Sequence, residues 1–257
     1  MNTSTTLRFD EKVALVTGAS SGLGRATALL FAQRGAKVVV SDIAIEAGHQ
    51  TVALIREQGG DAHFIACNVA DEAEVIALIQ QTIAHYGRLD CAVNNAGIGG
   101  LWHPSHTYPS DNFEKVFSVN TMGVFYCMKA EIQVMLKQKS GAIVNVSSVA
   151  GLAGFPSNMA YSASKHAVVG MTKTAGLEYA KKGIRVNAAC PVFTITPMVT
   201  GMFEVIGDYK DKLEASIPMK RFGQPNEVAE AIVWLCSDAA SFMTGHAMPI
   251  DGGMMAE

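Results

Sequence analysis

The chain has 257 residues, 49% hydrophobic and 17% charged, enough apolar material for a sizeable core and too much for a disordered chain. Its net charge is −3, so no basic excess points to nucleic acid or an anionic membrane as partner. Glycine is plentiful (24) and proline scarce (8), but without a Gly-X-Y period, which excludes collagen.

The first ten residues are polar and Thr-rich, with no apolar stretch of the kind a secretory leader needs. Short apolar runs at Val13–Thr17, Lys37–Ser41, His63–Val69, Cys91–Asn94, Ile143–Ser147, Arg185–Ala189 and Ala247–Ile250 read as buried strands. Helical patterns lie between them. Leu23, Ala26, Thr27, Leu30 and Phe31 keep to one helix face, as do Val75, Leu78, Ile79 and Ile83. Asp71 followed by Glu74 marks a helix start. Seven strands alternating with helices predict an α/β Rossmann fold: an open, doubly wound parallel sheet with helices on both faces. No linker or low-complexity segment divides residues 1–257, so one domain is expected. Residues 191–225 form the longest irregular stretch, with room for a short helix or two.

The cysteines, Cys67, Cys91, Cys127, Cys190 and Cys236, are odd in number and include no C-x-x-C pair. That argues against a disulfide framework or zinc site and for a reducing compartment. No apolar run reaches the ~18 residues of a membrane span. A soluble cytoplasmic protein is the expectation.

The first strand runs into Thr17-Gly18-Ala19-Ser20-Ser21-Gly22-Leu23-Gly24, and a helix follows at once. In such a loop Gly18 permits a tight turn, Gly22 admits a pyrophosphate to the backbone, and Gly24 lets helix and strand pack closely. The N–H groups at the helix start face the anion. Asp42 ends the second strand about 20 residues on, where a carboxylate accepts hydrogen bonds from both ribose hydroxyls of an adenosine and repels a 2′-phosphate. Neither Ser21 nor Ile43 is basic, so NAD is expected over NADP. Arg25 follows the last glycine and reads as a surface or phosphate-proximal residue.

The loop is the first of several motifs that resemble the short-chain dehydrogenase/reductase family over nearly the whole chain. Asn94-Asn95-Ala96-Gly97 is the second, followed by Asn120, then Ser147-Ser148, then Tyr161-Ser162-Ala163-Ser164-Lys165. The segment from Pro191 to Pro197 and Asp251-Gly252-Gly253 complete the series. Two positions depart from the family pattern. Asn68-Val69 stands where Asp-Val is usual, which keeps an adenine-facing amide but loses the carboxylate. Pro191-Val192 replaces Pro-Gly, and the valine is expected to crowd the nicotinamide side or narrow the pocket.

Tyr161 and Lys165 are one helical turn apart and share a face. A free phenol titrates near 10; an adjacent ammonium is expected to lower that value and make the tyrosine a usable base. Lys165 also has the length to reach the nicotinamide ribose. Alternation along the strand lets only one of Ser147 and Ser148 face the site, and the family's spacing of thirteen residues to the tyrosine selects Ser148. Asn120 matches the family's fourth catalytic member, holding a water connected to Lys165. The reaction implied is hydride transfer between nicotinamide and a secondary alcohol or ketone.

The resemblance also assigns cofactor contacts to Gly18, Ser20, Ser21, Gly22, Leu23, Gly24, Asp42, Ile43, Asn68, Val69, Asn95, Ala96 and Gly97. Tyr161, Lys165, Pro191, Phe193, Thr194, Ile195 and Thr196 join them, with Thr196 and the backbone near Ile195 at the carboxamide and phosphate. Residues from about 192 to 222 correspond to the family's mobile substrate lid. Phe155, Phe193, Met198 and Met202, with Ser148, are the expected pocket residues, implying an apolar, uncharged substrate for which a ring is one option. Seven of the 13 methionines lie from Met198 onward; Met243, Met248, Met254 and Met255 read as packing or interface residues. His103 and His106 form H-x-x-H without a third ligand, so no metal is expected. Helices starting near Ser110 and Asn158 and the C-terminal segment match the family's subunit interfaces, implying a homotetramer. An NADPH-dependent 3-oxoacyl-[acyl carrier protein] reductase is the alternative, which Asp42 argues against. Enoyl reduction fits less well, because that branch spaces its Tyr and Lys further apart.

Overall fold

The structure is a computed structural model and describes residues 7–207 and 209–256. Residues 1–6, most of the stretch read as lacking a leader, lie outside the described residues. Seven parallel strands form one sheet in the order β3-β2-β1-β4-β5-β6-β7. They are β1 (Val13–Thr17), β2 (Lys37–Asp42), β3 (Asp61–Ala66), β4 (Cys91–Asn94), β5 (Gly141–Val146), β6 (Ile184–Pro191) and β7 (Ala247–Ile250).

The central strands are mostly apolar because both faces are covered, with Asn94 and Asn145 the buried polar exceptions in β4 and β5, and alternation decides which cover each side chain meets. Ala14, Val16, Val38, Val40, Val93 and Val144 point to one face, under helices α1 (Gly22–Gln33), α2 (Ile45–Glu57) and α9 (Pro225–Cys236). Leu15, Val39, Ala92 and Ile143 point to the other, under α3 (Glu72–Tyr86), α5 (Gly123–Gln138) and α6 (Met159–Tyr179). The doubly wound single domain expected from the pattern is the fold observed.

Strand ends shift by a few residues from the apolar runs. β3 begins at Asp61 and ends at Ala66 rather than running His63–Val69. Cys67 N–H still bonds the Asp42 carbonyl at 3.1 Å, and the chain then leaves the sheet as the Asn68 side chain accepts from Ala70 N–H. Asp71 caps α3 as expected, accepting from Ala73 and Glu74 N–H. The Glu74 carboxylate reaches back to Asn68 N–H at 2.7 Å.

Residues 191–207 and 209–225 carry two short helices, as many as the stretch was expected to hold. Thr196 caps α7 (Pro197–Ile206), Pro197 fits its first turn, and α8 (Tyr209–Ser216) follows. The helix expected near Ser110 is broken. Helix α4 (Ser110–Phe117) passes into α5 through a π-turn, Ser118–Met122, that centres on Asn120.

Candidate active site

The carboxyl ends of the strands open into a cleft of about 1060 Å³, the position where doubly wound sheets bind ligands. At one end the wall is backbone. Gly18 and Gly22 hold φ of +64° and +52°, open to glycine at little cost. A Cβ on Gly24 would lie 2.1 Å from the Gly18 carbonyl oxygen, so only glycine lets helix and turn close together. Ser21 makes no side-chain cap, leaving the first N–H groups of α1 turned toward the cleft.

The Asp42 carboxylate accepts from Ser20 N–H at 3.0 Å and from Ala44 N–H at 3.0 Å, which fixes its direction beside the turn. Ile43 beside it is 72% exposed. Arg25 does not face the cleft. Its guanidinium bonds the Ser20 carbonyl, Thr51 Oγ1 (2.9 Å) and the Ala47 carbonyl (3.3 Å), tying the turn to α2. Lys115 and Lys165 are the only lysines or arginines lining the cleft among the described residues.

Asn95 lines the same end, yet its amide is committed to the Thr17 and Gly18 carbonyls at 2.9 and 3.1 Å. It braces the turn. Asn68, Val69, Ala96 and Gly97 also line the cleft, as do Ser20, Ser21 and Leu23. Glycines in positive-φ turns, an uncapped helix start and an oriented carboxylate are a set that fits a dinucleotide.

At the middle of the cleft the expected catalytic side chains meet. Ser148, Tyr161 and Lys165 all line it, and Tyr161 interacts with the Ser148 hydroxyl. Ser148 Oγ donates to the Pro191 carbonyl at 3.3 Å and accepts from Ala150 N–H at 3.1 Å. Ser147 is fully buried and spends its hydroxyl on the Lys165 carbonyl at 2.9 Å. The Asn120 side chain bonds Ile98 through both N–H (2.8 Å) and carbonyl (2.9 Å). Its Oδ1 would lie 3.2 Å from a Cβ on Gly97, and Lys165 Nζ 3.6 Å, so Gly97 separates the two side chains.

The electrostatics differ from the simple Tyr–Lys picture. Burial pushes the Tyr161 phenol above its ordinary value, with the Ser148 interaction pulling the other way. Lys165 is 3% exposed, and burial brings its ammonium down to about 8. Its Nζ donates to the Val146 carbonyl at 2.8 Å and sits 5.5 Å from the Tyr161 ring centre, over the ring. The expected lowering of Tyr161 by this ammonium is therefore not seen: the lysine's nearest acceptor is a backbone carbonyl, and desolvation dominates the phenol.

The far end is made of side chains. Phe155 and Phe193 pack edge to face at 6.3 Å, and Phe193 and Phe222 do the same at 6.3 Å. Met198 and Met202 from α7 complete this wall with Trp102. Val192 lines the cleft and also packs with Val149, Ile217 and Phe222. Pro191, Thr194 and Thr196 line the cleft. Ile195 does not; its N–H is paired with the Gly223 carbonyl at 2.9 Å. Met243 and Met248 pack on the core under α9, and Met254 and Met255 on the Phe222 cluster.

Sequence reasoning missed Trp102, Leu101, Val149 and Asn158, all of which line the cleft. Only Asn158 left a trace, as the place near which a helix was expected to start. His103 Nδ1 pairs with Thr107 Oγ1 at 3.0 Å. Among the described residues no three His, Cys, Asp or Glu side chains gather as metal ligands, and no helix is long and apolar enough to cross a membrane.

Beneath the cleft lies a buried polar chain. Asn94 Nδ2 donates to Glu131 Oε2 (3.1 Å) and Asn145 Oδ1 (3.0 Å), and Asn145 Nδ2 donates to Thr172 Oγ1 (2.9 Å). Glu131 is fully buried, and burial raises its carboxyl to about 8.

The family model described as "Enoyl-(Acyl carrier protein) reductase" matches residues 18–255. The 2,5-dichloro-2,5-cyclohexadiene-1,4-diol dehydrogenase of Sphingobium indicum is 43% identical over 95% of this chain and 97% of its own length. Cyclohexanol dehydrogenase of an Acinetobacter species is 42% identical over 95% of each. The crystal structure of levodione reductase matches with a TM-score of 0.93 at 38% identity, over 97% of this chain and 99% of that one. At this identity and coverage the likeness first seen in separate motifs extends to the whole chain, which belongs to the short-chain dehydrogenase/reductase family of nicotinamide-dependent oxidoreductases.

Proposed function

We propose that the chain catalyses NAD-dependent hydride transfer between an apolar, cyclic secondary alcohol and its ketone. The observation that carries this reading is the position of Ser148, Tyr161 and Lys165 between a glycine-built dinucleotide end and an aromatic, methionine-lined far end. The bound nicotinamide supplies or accepts the hydride. Gly18, Gly22 and the start of α1 hold its pyrophosphate, and Asp42 its adenosine ribose. Thr194 and Thr196 stand at the nicotinamide side.

Ser148 orients the substrate oxygen. Tyr161 takes the alcohol proton in oxidation and returns it in reduction. Burial keeps that proton on the phenol in the free enzyme, which suits the reductive role; oxidation requires a positive charge beside the ring. Lys165 supplies one, and two of its three N–H donors remain after Val146 is served, enough for one ribose hydroxyl and the phenolate. Asn120, through Ile98, fixes the segment after β4 beside the lysine.

NAD is favoured over NADP because a carboxylate held beside the glycine turn, as Asp42 is, would repel a 2′-phosphate, and Arg25 is tied away from the cleft. The four-residue Tyr161–Lys165 step favours carbonyl over enoyl reduction. Two relatives are named for six-membered rings, which supports a cyclic substrate. Helices α5 and α6 enclose an apolar groove flanked by exposed Phe125 and Leu136, which supports a homotetramer built through this face. The 192–222 segment serves as the lid. The test follows NADH absorbance with a panel of secondary alcohols and ketones, with NADP in parallel. Turnover of cyclic alcohols with NAD is expected. Turnover with NADP alone would overturn the reading of Asp42 and favour the 3-oxoacyl reductase, and no turnover of any alcohol or ketone would overturn the whole.

A further inference from the structure

Asn158 occupies the N-cap position of α6, one turn before Tyr161. Asparagine is among the residues that most often cap a helix through the side chain, yet Asn158 makes no capping bond. Only its backbone is engaged: N–H donates to the Phe155 carbonyl (3.4 Å) and the carbonyl accepts from Ser162 N–H (2.9 Å). The residue is 7% exposed, its side-chain oxygen is sealed from solvent, and that oxygen has no hydrogen-bond partner. Yet Asn158 lines the cleft, in company with Leu101, Trp102, Phe155 and Met202. A buried amide oxygen without a partner is disfavoured, and each one in a native fold calls for an explanation, such as a role in the site. Asn158 stands three residues before Tyr161, and both line the cleft.

We propose that Asn158 is a specificity-determining residue whose amide hydrogen-bonds a second oxygen of the substrate, across a compact apolar ring from the reacting carbon. The proposal rests on the alcohol-dehydrogenase reading above and narrows the substrate class to cyclic diols and hydroxyketones. The reacting carbon gives its hydride to the nicotinamide and its hydroxyl proton to Tyr161. The second oxygen is chemically unchanged.

The test compares kcat/KM for cyclohexanol and cyclohexane-1,4-diol, using the full-length enzyme with saturating NAD. The wild type is expected to prefer the diol by about tenfold or more, because an unfilled hydrogen-bonding site penalises the analogue that lacks the group. Asn158→Leu should bring the diol-to-alcohol ratio near one, with the loss mainly in KM. Asn158→Asp, which keeps an acceptor oxygen and the side-chain shape, should retain part of the preference and carries the test if the leucine variant does not fold. Equal kcat/KM for the two substrates in the wild type, or an unchanged ratio in both variants, overturns the assignment of Asn158 and leaves the alcohol-dehydrogenase reading standing. Failure to turn over any secondary alcohol or ketone with either cofactor overturns both.

Discussion

The two ends of the cleft are built from different material. At the nucleotide end the working surface is backbone: two glycine turns at positive φ, an uncapped helix start, N–H groups held by Thr17 and Asp42, and carbonyls held by Asn95. At the substrate end it is side chain: aromatic rings packed edge to face, two methionines and one unpartnered amide. A backbone surface tolerates almost no variation, because the conformation itself is the binding group. A side-chain surface needs only shape and polarity, which many residues supply. One end thus takes a ligand shared by a whole family, and the other is free to specialise.

The sharpest way to separate the two ends is a change that empties one and spares the other. Tyr161→Phe removes the proton carrier and nothing from the nucleotide wall. It should cut turnover about 10³-fold or more, from the loss of general acid–base catalysis. NADH titration by fluorescence should give a Kd within about twofold of wild type. A variant that keeps most of its turnover would remove Tyr161 from the mechanism.

Gly24→Ala is the reverse experiment. Its Cβ would meet the Gly18 carbonyl at 2.1 Å, a backbone atom that cannot step aside without moving the turn. Overpacking of this kind costs about 1–3 kcal/mol, or several degrees in Tm for a chain of this size. Dinucleotide affinity should fall by about tenfold, the equivalent of ~1.4 kcal/mol. A melt and a titration that both match wild type would show that the turn is not held by close packing.

The smallest effect is expected midway, beneath both ends. Glu131 has an ordinary carboxyl value of 4.5 that burial raises to about 8. The folded state therefore holds a proton that the unfolded chain releases. This contribution to stability is complete below about pH 4.5 and is lost as pH rises through about 8. Glu131 Oε1 and Asn94 Oδ1 are both buried acceptors without partners, and a protonated carboxyl has the hydrogen that one of them lacks. Glu131→Gln keeps a donor there and carries no titrating group. Melts at pH 6 and pH 9 should show the wild type losing more Tm than the variant over that interval; equal losses would mean that Glu131 is ionised in the fold.

This contrast also explains what could be read from the chain. The strands and the Gly18–Gly24 turn were legible because glycine spacing and β-branched runs are direct imprints of backbone geometry. Ser148, Tyr161 and Lys165 stand together as their spacing implied. One or two short helices were expected after Pro191, but the bounds of α7 and α8 were not legible, since these depend on a Thr196 cap and on packing against Phe222 rather than on strong periodicity. Nor was the charge state of Tyr161. Spacing shows that two side chains are neighbours, but not that Lys165 turns its Nζ to Val146, nor how much water burial removes. Arg25 likewise followed the glycines in sequence yet folds back onto Thr51. Trp102 and Leu101 were invisible, lying in a loop where apolar residues follow no period.

The π-turn at Ser118–Met122 has a consequence for how the chain tolerates insertion and deletion. It slips an extra residue into what is otherwise one rod, so the helix before it and the helix after it run out of phase. Val116 on one side closes against Gly100, while Val124 and Cys127 on the other close against the sheet. Deleting one residue there would leave an unbroken α-helix and turn one half against the other by about 100°. Both contacts could not then survive, so the length of this segment is constrained as tightly as any side chain in the cleft.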